Sequence, residues 1–468
     1  MRFPTIFGAA ALLRRQSSPT RKLWRWLCFL LLLAVCLVYF RPHAAEPVFL
    51  FADSTTAEFI DSIGINVHLS FHDSPYANLP LITQELAALG VRHVRDGANL
   101  TSEGLDPLQA VAWLRLRSQG IRVNAMVDPR YAVKTVTARS LQALVSAGGG
   151  AAESIEGPNE LDVSGLADWP AVDREYQRSL WEARNSLGLS QHDVSLVGPA
   201  MAFAANGEKL GDISAYADFG NLHPYPGGLP PSVIFPRPGT QQDFLSKSLA
   251  QATVMYGSLP IYVTESGWHN CFGDQKEIPA TSLEAAARYI PRLFLENFNH
   301  GIRRTYLYEL MAWRADPAGT NHEYHWGLLE YDGTEKPAFR ALKNLISLVS
   351  GPGVQVAAPT QTSAATANFG YQLEASSSLS LVHHTALRAA DGSLVLLLWQ
   401  EVSSFSIPEQ RDVDVPSRTV RVRLYRAAPW VRLFDIAVGI QPIQQWSAVS
   451  TVEIQVPDHV VMVRVSPH

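Results

Sequence analysis

Cysteine and charge are the scarcest features of this sequence. Three of the 468 residues are cysteine, and 17% are charged. Cys28 and Cys36 lie in an apolar stretch near the start, which leaves Cys271 alone in the rest of the chain and excludes a disulfide framework there. Cys271 lies between Asn and Phe without the signature of a catalytic nucleophile. The favoured interpretation is therefore an unreactive thiol.

The motifs that bind phosphates and metals are also lacking. No glycine-rich phosphate fingerprint follows any predicted strand, and Gly148-Gly149-Gly150 precedes a strand, as a plain loop does. His68, His223 and several carboxylates are possible metal ligands, but the chain has no HExxH or similar short ligand spacing. The sequence therefore predicts neither a metal nor a cofactor.

The charges are unevenly distributed along the chain. Seven of the 38 Lys and Arg residues lie before residue 44, a stretch without Asp or Glu, which leaves a net charge of −12 on the remainder. An acidic body argues against nucleic acid as a partner. The length and the 47% share of hydrophobic residues are ample for one large core and a second domain.

Residues 1–45 form a basic leader followed by an apolar segment, Leu27–Phe40. This pattern fits either a signal peptide or an uncleaved transmembrane anchor. Around His43-Ala44-Ala45 the cleavage site is imperfect, and this favours the anchor. In both cases the body of the protein is expected outside the cytoplasm, periplasmic or extracellular, because the cations stay on the cytoplasmic side.

From about residue 59 to 350, short apolar runs alternate with amphipathic stretches. The predicted strands are Gly64–Leu69, Arg92–Val94, Ile121–Met126, Ala152–Ile155, Val194–Val197, Phe219–Leu222, Pro260–Thr264 and Thr305–Tyr308. The predicted helices are Leu81–Leu89, Leu108–Ser118, Ser140–Ala147, Arg174–Leu187, Gln241–Tyr256, Ser282–Asn299 and Lys336–Val349. Eight strands, each followed by a helix or a long loop, predict an α/β fold, a (β/α)8 TIM barrel over residues 46–350.

The composition changes after the barrel. Residues 351–367 form a predicted linker that starts with Gly-Pro-Gly and is rich in Thr, Ala and Ser, and residues 368–468 alternate with period two. The predicted strands there are Ser378–His384, Ser393–Trp399, Thr419–Tyr425, Val452–Val456 and Val460–Val465, and Asp391-Gly392 is a hairpin turn. We expect a small antiparallel β-sandwich that acts as a structural buttress.

Two predicted barrel strands end on glutamate. A Gly-Pro pair stops the run Ala151–Ile155, and Asn159 and Glu160 follow; the run Ile261–Thr264 leads directly into Glu265. The two glutamates are 105 residues apart, the length of three βα units of about 35 residues, which assigns them to strands four and seven of one barrel mouth. Two carboxylates that face one cleft are the minimum set for glycoside hydrolysis. The alternative is coincidence, one in a helix cap and one in an ion pair.

Other polar and aromatic residues follow the predicted strands. Arg95 near Glu265 would keep that carboxylate ionised, a tyrosine hydroxyl would orient it, and Asn159 would bind a ring hydroxyl. Each has a structural alternative, such as an ion pair of Arg95 with the adjacent Asp. The full set of predicted substrate contacts is Asn159, His68, Arg95, His223, Tyr225, Trp268, Glu309 and Trp313.

Asn159-Glu160 and Glu265 resemble the motifs of glycoside hydrolase clan A, the retaining TIM-barrel glycosidases. The resemblance covers roughly residues 55–468 and includes His223-Pro224-Tyr225, Trp313 and the trailing β-domain. It is greatest to family 39-like members, including anchored endoglycosidases of bacterial exopolysaccharide systems. It implies that Glu160 is the acid/base and Glu265 the nucleophile. The substrate does not transfer with the resemblance.

We therefore expect a retaining O-glycoside hydrolase that acts on an oligo- or polysaccharide. The alternatives are a non-hydrolytic glycan-binding or exopolysaccharide-assembly accessory, and a transglycosylase that uses the same pair. Sugar, linkage, and endo or exo action depend on loop shape, notably in Pro226–Thr240 and His269–Thr281.

Overall fold

The computed structural model describes residues 49–232, 243–275, 278–351, 370–375 and 378–467. The predicted leader and apolar segment, and all of the predicted linker except Gly351, lie outside these residues. Within the described ranges, no helix has both the length and the apolar character that crossing a bilayer requires.

Eight parallel strands form a closed barrel that begins at residue 63. In chain order they are β2 (Ile63–Val67), β3 (His93–Gly97), β6 (Arg122–Met126), β7 (Ala152–Glu156), β8 (Ser195–Val197), β9 (Gly220–Leu222), β10 (Ile261–Ser266) and β11 (Arg304–Leu307). Each strand except β8 pairs with the next, and β11 pairs with β2. A single parallel bridge between Val197 and Phe219 closes the remaining gap between β8 and β9. This is the predicted TIM barrel.

Helices pack on the outside of the barrel. They are α1 (Thr56–Asp61), α2 (Leu79–Leu89), α3 (Pro107–Ser118), α4 (Ala138–Ser146), α5 (Trp169–Ser186), α6 (Gly207–Leu210), α7 (Phe244–Tyr256), α8 (Leu283–Asn299) and α9 (Pro337–Ser350). A short hairpin, β4 (Leu100–Thr101) and β5 (Gly104–Leu105), follows β3. Helix α5 begins five residues before the predicted start, because Pro170 in its first turn has a φ already set for a helix.

The two faces of the barrel strands differ in chemistry because side chains alternate along a strand. Apolar residues such as Ile65, Val94 and Ile155 belong to the core beneath the helices. The inward side chains near the carboxyl ends are polar and buried, and they bond to one another: Asn66, Arg95, Asn124, Glu156, Asn221 and Thr264. Buried polar groups of this kind need partners, so the network fixes their positions.

A seven-stranded sheet follows the barrel. Its members are β1 (Ser54–Thr55), β12 (Tyr371–Ala375), β13 (Val382–Arg388), β14 (Leu394–Gln400), β17 (Arg418–Asp435), β18 (Gln444–Val456) and β19 (Val461–Val465). A small hairpin, β15 (Phe405–Ser406) with β16 (Arg411–Asp412), stands apart. Where the sequence predicts a sandwich, the described strands form one hydrogen-bonded sheet, because β17 is 18 residues long and pairs with β12 through its first half and with β19 through its second.

The sheet packs directly against the barrel through α8. Arg292 on this helix forms a buried ion pair of 2.9 Å with Glu401, and Glu296 lies 2.6 Å from Nδ1 of His383. Trp399 of β14 donates its indole N–H to both carboxylates, at 3.0 Å each. Strand β14 is buried along its whole length, since one face packs on the barrel and the other on the sheet's own core.

Candidate active site

The carboxyl ends of the barrel strands surround a cleft of about 1530 Å³. Seven of the ten predicted site residues line it: His68, Arg95, Asn159, Glu160, His223, Tyr225 and Glu265. They come from strands on all sides of the mouth, as the parallel barrel requires. Trp268, Glu309 and Trp313 are not among the lining residues.

Glu265 lies within β10 and has donors on both carboxylate oxygens. Arg95 donates Nη1–H to Oε1, and the Tyr225 hydroxyl donates to Oε2 at 2.9 Å. Nδ1 of His223 lies 3.7 Å from Oε2. Burial by itself would raise the pKa of Glu265, but the charges of His223 and Arg95 and the Tyr225 hydrogen bond together hold that pKa below its usual value. The carboxylate is thus ionised and fixed in orientation.

Arg95 of β3 is itself held by Glu156, the last residue of β7. Nε and Nη2 of Arg95 donate to the two oxygens of Glu156, at 2.9 and 2.8 Å, in a bidentate pair. Nη1 also reaches Asn66, at 3.0 Å, and Nη2 reaches Oδ1 of Asn159, at 2.7 Å. These carboxylates raise the pKa of Arg95 against the effect of its burial. The alternative pairing of Arg95 with the adjacent Asp is not the one observed.

Glu160 lies beyond the end of β7 and has a left-handed backbone, with φ 50° and ψ 46°. Its N–H donates to the carbonyl of Ala200 at 2.9 Å, which ties it to the loop after β8. Gly157 ahead of it is closely packed, because a Cβ there would collide with the buried side chain of Gln177. The backbone therefore turns the Glu160 side chain into the cleft.

His223 joins the two glutamates. Its Nδ1 lies 2.7 Å from Oε1 of Glu160, and its Nε2 lies 2.8 Å from the hydroxyl of Thr264. Burial lowers the pKa of His223, but Glu265 and Glu160 outweigh burial and raise it. One oxygen of Glu160, Nδ1 of His223 and one oxygen of Glu265 lie within 4.8 Å of one another. The two carboxylates thus face each other across a narrow gap.

The same three groups have ligand types that a divalent cation would accept. Both oxygens of Glu265 already accept hydrogen bonds, from Arg95 and Tyr225, and Oε1 of Glu160 lies against His223. The positive charge of Arg95 beside them also opposes a second cation. These features favour a proton-transfer site over a metal centre.

His68 and Glu309 form a pair at the barrel floor. Nε2 of His68 lies 2.6 Å from Oε2 of Glu309, whose side chain is fully buried. The His68 ring stacks on Phe71 with centroids 4.7 Å apart and lines the cleft. Burial lowers the pKa of His68, but Glu309 raises it above its usual value. Glu309 therefore acts on the cleft through His68 and does not face it.

The two predicted tryptophans lie elsewhere. Trp268 is buried in the core, where its indole N–H donates to the carbonyl of Leu229 at 2.9 Å. Trp313 packs edge-on against Phe71 and Tyr324, behind the cleft wall. Side chains beyond a strand end follow loop geometry, which has no fixed period, so spacing alone misplaces them.

Several cleft residues were not predicted from the sequence. Trp326 and Glu323 come from the loop between β11 and α9, and Tyr131 and Phe203 come from the loops after β6 and β8. Glu156, which is not among the predicted site residues, supports Arg95. Its inward direction follows from period two, because it lies two residues after the inward Ser154.

The closed eight-stranded barrel with this cleft has the fold of the family 39-like glycoside hydrolases of clan A. No family model matches the chain, and no curated protein matches it in sequence. The likeness is to solved structures.

Three of these structures illustrate the likeness. A family 39 glycoside hydrolase of the gut symbiont Bacteroides cellulosilyticus is 16% identical with a TM-score of 0.60, over 89% of this chain and 83% of its own. A family 39 β-xylosidase of Caulobacter crescentus is 14% identical with a TM-score of 0.53, over 91% and 98%. A glucosidase of Croceicoccus marinus is 12% identical with a TM-score of 0.53, over 83% and 92%.

Proposed function

We propose that this protein is a retaining O-glycoside hydrolase that cleaves an oligo- or polysaccharide by double displacement. Glu265 is the nucleophile and Glu160 the acid/base. The observation that carries the proposal is the gap between these carboxylates: one oxygen of each lies within 4.8 Å of the other. Retaining glycosidases separate their carboxyl groups by about 5–5.5 Å, whereas inverting enzymes need about 6.5–9.5 Å to admit a water molecule.

The surroundings of each carboxylate support its role. Glu265 is ionised by Arg95 and fixed by Tyr225, as a nucleophile must be. Glu160 has His223 as its single side-chain partner and is more exposed, at 24% against 11% of the side chain. A group that must give a proton to a leaving oxygen and then take one from water needs that access.

The chemistry then follows in two steps. Glu265 attacks the anomeric carbon while Glu160 transfers its proton to the leaving oxygen, so the C–O bond to the leaving group breaks as the bond to Glu265 forms. Water, deprotonated by Glu160, next attacks the same carbon and releases Glu265. Asn159 supports the first step, since it lines the cleft and Arg95 fixes its Oδ1, which leaves the amide N–H groups to bind a ring hydroxyl.

Stereochemistry tests the proposal directly. Residues 46–468 are screened on a panel of defined oligosaccharides and polysaccharides, and the anomer released in the first minutes is identified by proton NMR. We expect the wild type to release a product with retained configuration, and Glu265→Gln to release no product. Inversion would overturn the mechanism, and binding of glycans without turnover would favour the glycan-binding alternative. Transfer to an added sugar acceptor in place of water would identify a transglycosylase.

We also propose that the protein works outside the cytoplasm. The support is the basic leader followed by the apolar segment in residues 1–45. A fusion of residues 1–60 to alkaline phosphatase, which is active only after export, tests this in a bacterial host. We expect the fusion to show phosphatase activity and to lose it when residues 27–40 are deleted. Phosphatase activity that persists after the deletion would contradict export by this segment.

A further inference from the structure

Two of the cleft's walls carry aromatic side chains that are open to solvent. Tyr131 is 70% exposed and Phe203 is 63% exposed, and both line the cleft. A single exposed aromatic residue on a protein surface needs no explanation. Here two of them lie in the wall of one polar cleft, and each is held in place by a network that also holds the loop of Glu160.

Asp162 attaches the loop of Phe203 to the loop of Glu160. Its two carboxylate oxygens accept from the N–H of Ala202 at 3.0 Å, from the N–H of Phe203 at 3.1 Å and from Nδ2 of Asn206 at 2.9 Å. Asp162 is only two residues beyond Glu160. The position of Phe203 is therefore set relative to that of Glu160.

Asp128 attaches the loop of Tyr131 to the loop of Glu160. Its Oδ2 accepts from the N–H of Asn159 at 3.0 Å, and it pairs with Arg130 at 2.8 and 3.0 Å. Arg130 also donates to the carbonyl of Asn159, and its guanidinium lies 5.2 Å from the centroid of the Tyr131 ring. A cation at this distance from an aromatic face is attracted to it and restrains it.

Strand order places these two rings around the acid/base. In the barrel, β7 lies between β6 and β8, and the loops after these three strands carry Tyr131, Glu160 and Phe203 in that order. Glu265 projects from β10, three strands away from β7. A proton donor lies beside the oxygen of the leaving group, so its flanks are where the leaving group is held.

We propose that Tyr131 and Phe203 form a binding site for a sugar residue of the leaving chain. The substrate class is thus a saccharide with at least one further sugar on the leaving side of the scissile bond. This inference rests on the proposed function, which assigns the proton donor to Glu160. Aromatic rings bind the apolar faces of sugar rings while polar groups bind their hydroxyls, and Gln251 and Lys247 line the same cleft.

The site also offers a place for an acceptor. After the leaving sugar departs with the proton of Glu160 on its oxygen, the site is free while the anomeric carbon is bound to Glu265. A sugar hydroxyl held there gives its proton to Glu160 and attacks that carbon, so a glycosidic bond re-forms as the bond to Glu265 breaks and its carboxylate is released. Water attacks in the same way when no sugar is bound.

The test compares two substrates with the same glycone. One is the oligosaccharide that the panel screen identifies, and the other is the matching glycosyl fluoride, whose leaving group is too small to reach the two rings. We expect Tyr131→Ala and Phe203→Ala each to lower kcat/KM on the oligosaccharide tenfold or more, and on the fluoride less than twofold. Tyr331→Ala, an exposed residue that does not line the cleft, is the matched control and should change neither.

A second readout uses the fluoride as donor and a free sugar as acceptor. The wild type is expected to form the transfer product, and Phe203→Ala to lose it while it still hydrolyses the donor. Equal losses on both substrates, or none on either, would overturn this site and leave the catalytic pair standing. A wild type that hydrolyses the fluoride but no saccharide would also overturn it. Failure on every substrate would refute the proposed function, and the site with it.

Discussion

The fourth and seventh barrel strands both end near a glutamate, yet they present it in opposite ways. Glu265 is part of its strand, is nearly buried, and accepts from Arg95 and Tyr225. Glu160 lies four residues beyond its strand, at a positive φ, and among the described residues its side chain is hydrogen-bonded to His223 alone. The same residue type is thus fixed in one place and left accessible in the other.

In the proposed mechanism, backbone placement rather than residue identity separates the two roles. A side chain inside a strand is aimed by the period of the strand and is surrounded by its neighbours. A side chain on a loop residue with a left-handed backbone can reach into the cleft from outside the hydrogen-bonded strands.

Removing each carboxylate in turn gives the largest effect. Glu265→Ala should lower kcat on the order of 10⁴-fold or more on every substrate, because no covalent intermediate forms. Glu160→Ala should show an equally large fall in kcat on a saccharide. On a glycosyl fluoride its first step should be preserved, because fluoride leaves without a proton. Added azide should then restore turnover and give a glycosyl azide, which NMR detects. Identical behaviour of the two variants would contradict the assigned roles.

The support behind Glu265 is tested next, through Glu156→Gln. Arg95 would be left with an incomplete set of buried partners, which costs about 3–5 kcal/mol of unfolding free energy. A shifted Glu265 should also cost about 10²-fold in kcat. Urea unfolding and steady-state kinetics measure the two.

The control for that variant is Glu453→Gln. Glu453 pairs with Arg421 on the surface of the C-terminal sheet, with both side chains at least half exposed. An exposed pair contributes about 0–1 kcal/mol, so stability and activity should be nearly unchanged. If both variants destabilised equally, the Arg95 network would not be the support described above.

Tyr225→Phe should move the pH profile of kcat/KM. The pKa of Glu265 is below its usual value partly because Tyr225 donates to it, so removing the hydroxyl raises that pKa. Glu265 must be ionised to act, and activity is lost as the pH falls through its pKa. The acid limb should therefore shift to higher pH, with kcat about tenfold lower from the poorer orientation. An unmoved limb would refute the role of this hydrogen bond.

Glu323→Gln should move the same limb the other way, with less than a tenfold change in kcat. Partial burial raises the pKa of Glu323, His322 opposes that rise, and the charges of Glu265 and Glu160 add to it. By reciprocity its negative charge raises the pKa of Glu265, and neutralising it lowers that pKa. The acid limb should shift to lower pH. Glu103→Gln, at an exposed position that does not line the cleft, is the control.

Much of the barrel can be predicted from the sequence because its signals are local. Each of the eight predicted strands overlaps an observed one, and the strand-end glutamates lie where the count of βα units assigns them. The sheet is less predictable. The register of strand β17 shifts against β18 between Arg423 and Ala428, and an irregularity of this kind interrupts the period of two on which the prediction depends.

The site divides in the same way. Residues on strands or directly after them, such as Arg95 and His223, are found by position. Trp268 illustrates the opposite case: it follows Glu265 by three residues, but the loop directs it into the core, and Trp326 from another loop lines the cleft. The domain limits at residues 45, 350 and 367 stay predictions.

The first described residues belong to the last sheet, and this has a consequence for how the chain is made. Leu50 bridges Tyr371, and Ser54–Thr55 pairs with Leu387–Arg388, so contacts more than 300 residues apart join the two ends of the barrel segment. During synthesis the barrel is complete before its leading strand has a partner. We therefore expect the last folding step, after release from the ribosome, to be the pairing of this N-terminal strand with the C-terminal sheet.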